Sequence, residues 1–149
     1  MKLKENEGLI IQFYKTKMVF KTRLEQTNSA YTTILMTHPA LVGPALHFHP
    51  DGPETFFVLK GDYTFTLDGE TIKANQGDYV YIPQNTPHKY KSGANGGQIL
   101  VTTPANVEKY FIHIAEKLLE GEVSLEYEFE YARENGQTFL DTSEHWGHK

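Results

Sequence analysis

In the stretch HFHPDGPETFFVLKG (residues 47–61), two histidines stand two positions apart, the turn-forming PDGP follows, and a glutamate leads an apolar run. Side chains two apart on a strand point to the same face, so His47 and His49 can pinch a single metal ion. The Pro and Gly residues of PDGP fold the chain back, which can set the Glu54 carboxylate beside the imidazoles as it enters TFFVL. A His-x-His pair alone is weak ground for a metal, because two polar residues beside a loop would give the same spelling. A third histidine, His88, follows the turn-rich residues 83–87 and precedes a short predicted strand over residues 89–91. It is the candidate fourth ligand.

Working outward, residues 9–103 read as short strands separated by turn residues, the pattern of a sandwich or small barrel. YTTILMT (residues 31–37) is rich in β-branched side chains, TFFVL is bounded by Pro53 and Gly61, and QILVTT (residues 98–103) closes the series after SGANGG, predicted as a flexible loop. Tyr63, Phe65 and Leu67 alternate with Thr64 and Thr66 before Asp68-Gly69, which predicts a tight hairpin. Gly77-Asp78 marks another turn, and residues 79–82 read as a strand ending at Pro83.

The texture changes after Thr103. Thr103-Pro104 suits a helix cap with Pro at the first helical position, and Val107, Tyr110, Phe111, Ile114 and Leu118 recur at helical spacing as far as Gly121. From Val123 to Tyr131 apolar and polar residues alternate strictly, which by period alone is a strand. The last nine residues, DTSEHWGHK (residues 141–149), read as a frayed or loosely docked tail that leaves His145 and His148 in solvent. His38 and His113 read as structural or exposed.

At 149 residues, with 39% hydrophobic and 13% aromatic content, the chain has the size and composition of one globular domain, residues 1–149. It contains no cysteine, which excludes disulfides, thiolate metal sites and cysteine nucleophiles. No apolar run is long enough to span a membrane and no stretch has a signal peptide's layout, so the expected location is the cytoplasm. The net charge is −5, and the acidity is concentrated after residue 104, where four Lys or Arg stand against ten Asp or Glu. Neither part shows the clustered basic face that phosphate neutralisation needs, so nucleic acid is not an expected partner.

The order His47-x-His49, four residues, Glu54, six residues, Gly61 resembles the first motif of the cupin superfamily. Gly77, five residues, Pro83, then His88 five positions later resembles the second. Departures from that pattern are Leu41 where the family has Gly, Asn85 where it has Gly, and Ser92 where it has Asn; none is a ligand position. The resemblance implies an all-β, antiparallel jelly-roll barrel, a double-stranded β-helix over about residues 9–103. It also implies one divalent transition metal (Fe, Mn, Ni, Co, Cu or Zn) held by His47, His49, Glu54 and His88. Around Pro104–Phe111 and again around residues 132–139 the sequence is similar to the single-domain, quercetinase-like members. That similarity implies a helical extension over about residues 104–140 and favours helix over strand for residues 124–135.

Resemblance to that group implies a metal-dependent dioxygenase with Glu54 as ligand and catalytic general base, a small-molecule substrate, dioxygen as a second partner, and a homodimer. Phe56 and Val58 share strand parity with Glu54, and Tyr90 shares it with His88, so these three are candidate pocket residues. Two other readings stay open, a binding protein without turnover and a metal-dependent isomerase, because the fold hosts all three.

Overall fold

The computed structural model describes residues 1–148. In chain order the elements are β1 (Leu9–Phe13), β2 (Thr16–Thr22), β3 (Thr32–His38), β4 (His47–Phe48), β5 (Glu54–Leu67), β6 (Glu70–Asn75), β7 (Tyr79–Ile82), β8 (His88–Thr103), α1 (Val107–Glu120), α2 (Leu125–Glu134) and β9 (Thr138–Phe139). A short 3-10 turn, His145–Gly147, follows.

All strand pairs are antiparallel, and two long strands organise them. The first half of β5 pairs with the last part of β8 (Phe56 opposite Val101), whereas its second half pairs with the first part of β8 (Phe65 opposite Tyr90). One sheet therefore runs β1-β2-β3-β8-β5-β7 and the other β9-β4-β8-β5-β6, with β5 and β8 bent across both. The sheets wrap a core of Met18, Phe20, Ile34, Phe56, Phe65 and Ile99 without closing into a continuous cylinder. This is the jelly-roll architecture expected, in its open form.

The bend has a local cause. Register shifts fall at Lys60 and at Gly61/Tyr63, and Gly61 takes a left-handed φ of 71° with Gly96 so close that a β-carbon would meet its carbonyl oxygen at 2.4 Å. SGANGG is accordingly not a loop but the corner of β8 itself, where the absence of side chains lets the strands cross. The hairpin at Asp68-Gly69 is a two-residue turn, both residues having positive φ (48° and 85°), between the paired Leu67 and Glu70.

Helix α1 begins later than its expected cap. Thr103 is still paired with Thr32 in the sheet and cannot cap a helix, so a turn through Ala105 and Asn106 intervenes before Val107. Residues 125–134 are helical despite their alternation, capped by Ser124, whose hydroxyl accepts from Tyr127 N–H at 3.1 Å. The apolar period misleads because the buried face of α2 is built on Glu128 and Ala132, four apart, rather than on its aromatic residues.

The tail departs most from expectation. His145 and Trp146 are buried, not exposed, and Trp146 stacks on His38 with ring planes 6° apart. β9 adds to the edge of the second sheet beside β4. His148 is half-buried, with its ring against Tyr14, and Lys149 lies outside the described residues. No described helix is long and apolar enough to cross a membrane.

Candidate metal centre

β4 and β8 set His47 directly opposite His88, with ring centroids 4.3 Å apart. His49 follows on the same face, and the turn through residues 50–53 delivers Glu54 as the first residue of β5. That turn is tied down by Asn85, which donates its backbone N–H to His49 O at 3.0 Å and takes a left-handed φ of 65°. Asn tolerates that conformation better than other non-glycine residues, which explains why it can stand where the motif has glycine.

The four side chains meet: one donor atom from each of His47, His49, Glu54 and His88 lies within 4.8 Å of the others, and all four residues are buried. Each flanking contact prepares the imidazoles for a cation. His47 Nδ1 lies 2.8 Å from Ala45 O and His88 Nδ1 lies 2.8 Å from Thr86 O. A carbonyl oxygen only accepts, so both Nδ1 atoms carry the proton and both Nε2 lone pairs are free for a metal, the arrangement typical of metal-ligating histidines.

The donor set has an unresolved conflict of its own. His88 Nε2 faces Glu54 Oε1 at 2.9 Å, and His49 Nε2 faces the same oxygen at 3.3 Å. With its proton on Nδ1, His88 presents Nε2 as an acceptor to a carboxylate oxygen that is also an acceptor, so that pair is satisfied only by an extra proton or by a cation between them. Both ring nitrogens of His49 are buried without a hydrogen-bond partner among the described residues. Burial alone would raise the Glu54 pKa, but His49 and His88 outweigh it and hold the carboxyl well below its usual range. His47 is pushed well below its usual value, first by burial and then by the neighbouring His88 and His49. Carboxylate plus lone-pair imidazoles is the donor chemistry of a divalent transition metal, and the residues fit one.

Beside the centre is a small cavity of about 10 Å³, lined by His47, Glu54, Phe56, Tyr90, Gln137 and Trp146 among others. That is room for about one water. Two of the three candidate pocket residues, Phe56 and Tyr90, line it; Val58 is fully buried but is not among the lining residues. Tyr90 is also committed elsewhere, its hydroxyl lying 3.2 Å from His38 Nε2. The sequence reading missed Gln137 and Trp146. The available signal was the single tryptophan of the chain standing in the tail, since tryptophan is highly buried on average.

A second buried cluster went unforeseen. The Glu128 carboxylate is bonded by the Tyr14 hydroxyl, the Tyr110 hydroxyl (2.6 Å) and His145 Nε2. His145 Nδ1 in turn accepts the Ala45 N–H at 3.1 Å, so Ala45 touches His145 with its N–H and His47 with its carbonyl.

Residues 34–103 match the cupin domain family. Over 66 residues, 44% of this chain, the sequence is 35% identical to quercetin 2,3-dioxygenase of Bacillus subtilis. It is 40% identical over 50 residues to an uncharacterized protein of Methanocaldococcus jannaschii. These alignments span only 20% and 40% of the respective relatives. An RmlC-like cupin from Shewanella frigidimarina superimposes with a TM-score of 0.63 at 16% identity, over 72% of this chain and 93% of that one. The polyketide cyclase RemF from Streptomyces resistomycificus superimposes with a TM-score of 0.60 at 18% identity, over 70% and 80%. At these identities the structural likeness is one of fold.

Proposed function

This chain is a cupin, and from that premise we propose that it is a metal-dependent dioxygenase of the quercetinase type acting on a small aromatic or enolisable substrate. His47, His49, Glu54 and His88 would hold one divalent transition-metal ion. Bound there, the ion would supply Lewis-acid polarisation of a substrate oxygen and open positions for substrate and dioxygen. Glu54 would act as the general base, because its carboxylate lines the cavity in which a substrate would meet the metal. The carbonyls of Ala45 and Thr86 hold the His47 and His88 rings in the tautomer that leaves Nε2 bare.

The observation that carries this reading is the cavity wall beside the donors. Met36, Phe56, Val101, Val107 and Phe111 line it, and among the described residues neither Lys nor Arg does. A phosphorylated or carboxylate-bearing substrate would call for such a cation, so the wall favours an apolar, uncharged substrate over that of a sugar-phosphate isomerase. An aromatic ring needs more than the space of one water, so admission requires the wall to move. Gln137 and Trp146, like Val107 and Phe111 of α1, join that wall from beyond the barrel strands. The chain would pair as a homodimer through the exposed aromatics Phe57, Tyr79 and Tyr81, which stand on neighbouring rungs of β5 and β7.

Purified without a histidine tag, the protein is expected to carry about one transition-metal ion per chain by elemental analysis. It is expected to consume oxygen with flavonols or small 1,3-diketones. Stoichiometric metal with no oxygen uptake on any of these would overturn the oxygenase reading. Metal retained after His47→Ala and His88→Ala would overturn the ligand set.

A further inference from the structure

The C-terminal segment does more than cover the barrel. It leaves α2 through Gly136, whose left-handed φ of 79° and closeness to Asp51, where a β-carbon would meet Oδ2 at 2.3 Å, seat the chain against the turn between His49 and Glu54. β9 then pairs with β4, placing Phe139 opposite His47, and Leu140 N–H bonds to Leu46 O at 2.8 Å. Farther on, Trp146 N–H bonds to Gly43 O at 2.7 Å while its own backbone takes a φ of 48°. A left-handed conformation is strained for so bulky a residue and persists only where its surroundings hold it.

This segment brings two polar side chains to the cavity shared with His47 and Glu54. Gln137 and Trp146 are each 2% exposed and both line the cavity. Gln137 Oε1 and Trp146 Nε1 are buried with no hydrogen-bond partner among the described residues. Buried polar atoms are nearly always paired, and two exceptions on one small, otherwise largely apolar cavity call for a shared partner. One is an acceptor only and the other a donor only.

We propose that Gln137 and Trp146 are ligand-binding residues of this site. Gln137 Oε1 accepts a hydrogen bond from, and Trp146 Nε1–H donates one to, a compact ligand that carries an N–H or O–H beside a carbonyl oxygen and lies against His47 and Glu54. The inference rests on the metal reading above and adds the residues that select the ligand. The barrel motifs supply the metal's donors, and the C-terminal segment supplies the two contacts that recognise what binds beside it.

Trp146 is the only tryptophan, so the zinc-loaded, ¹⁵N-labelled protein has a single indole N–H signal to follow. Acetohydroxamic acid, with a carbonyl oxygen and an N–H, is the probe, and azide, an acceptor only, is the control. Acetohydroxamate is expected to bind and to move the indole signal. Gln137→Met, which keeps the length and removes the acceptor, is expected to weaken acetohydroxamate about tenfold, the worth of one hydrogen bond, and to leave zinc and azide affinities unchanged. An equal loss for both probes, or none for either, overturns the role of Gln137. An indole signal that stays put at saturating acetohydroxamate in the wild-type protein overturns the role of Trp146 and needs no variant to fold. Failure of the wild-type protein to take up zinc overturns both this inference and the metal reading. Zinc uptake with an unmoved indole overturns this inference alone.

Discussion

Two buried clusters of histidine and glutamate flank Ala45, and they are built to opposite specifications. Around Glu128 every partner is a donor: the Tyr14 and Tyr110 hydroxyls and His145 Nε2 converge on one carboxylate, and the His145 ring is satisfied at its other nitrogen by Ala45 N–H. Around Glu54 two imidazole nitrogens, His88 Nε2 and His49 Nε2, face the same carboxylate oxygen, and that of His88 meets it with a lone pair. The first cluster is electrostatically complete and works as a fastener that binds α2 and the tail to the barrel. The second is complete only when an extra proton or a metal cation enters it. Residue identity does not separate a structural cluster from a functional one; the count of donors against acceptors does.

Replacing each glutamate by glutamine tests that contrast directly, and the largest expected effect is on metal affinity. Glu54→Gln removes the only anionic ligand and is expected to lower affinity by on the order of a hundredfold or more, measured by competition with a chromophoric chelator. Glu128→Gln should leave metal binding nearly unchanged. On stability the order reverses. Glu128→Gln points an amide N–H₂ at groups that are themselves donors, and is expected to cost about 3 kcal/mol in urea unfolding. In metal-free protein, Glu54→Gln lets the new amide donate to His88 Nε2, with an expected gain of about 1 kcal/mol. A loss of stability from both changes would end the comparison.

The pH dependence sharpens it further. Burial lowers the His38 pKa from its usual 6.5 to about 3. Below 6.5 the unfolded chain binds a proton that the folded chain refuses, so stability falls as the pH drops from about 6.5 toward 3. His38 contributes up to about 1.4 kcal/mol per pH unit. His145, whose pKa burial also lowers, acts in the same direction. His38→Gln is expected to flatten the slope between pH 6 and 4 by about that amount, read from urea midpoints of metal-free protein. The smallest effect belongs to the cap of α2: Ser124→Ala should cost about 1 kcal/mol and leave both clusters intact.

The strands, the Asp68-Gly69 hairpin and the shared face of His47 and His49 were legible because they are local signals whose geometry follows from the backbone, whereas the jelly-roll and the convergence of His88 with Glu54, 34 residues apart, were legible only through likeness to the cupin motifs. What lies after Thr103 was harder. Helix α2 buries a glutamate, so hydropathy inverts its faces, and only likeness to related sequences favoured helix there. The burial of His145 and Trp146 depends on partners a hundred or more residues away, Gly43, Ala45 and His38. No window along the chain contains such information. The corner at SGANGG was misjudged for a related reason, since glycine marks both a loop and a close crossing of strands until the neighbour, Gly61, is known.

The bent pair β5 and β8 carries a further consequence, for how the molecule breathes. Both strands belong to both sheets, so the sheets cannot part like the covers of a book without breaking the ladder between Thr55–Thr102 and Leu67–His88 along its whole length. Opening must therefore occur at the rims, where β1, β6, β7 and β9 have one neighbour each. Amide hydrogen exchange should be slowest along β5 and β8 and fastest at those rims. β9, only two residues long and directly against His47, is the rim whose loosening would first expose the metal centre.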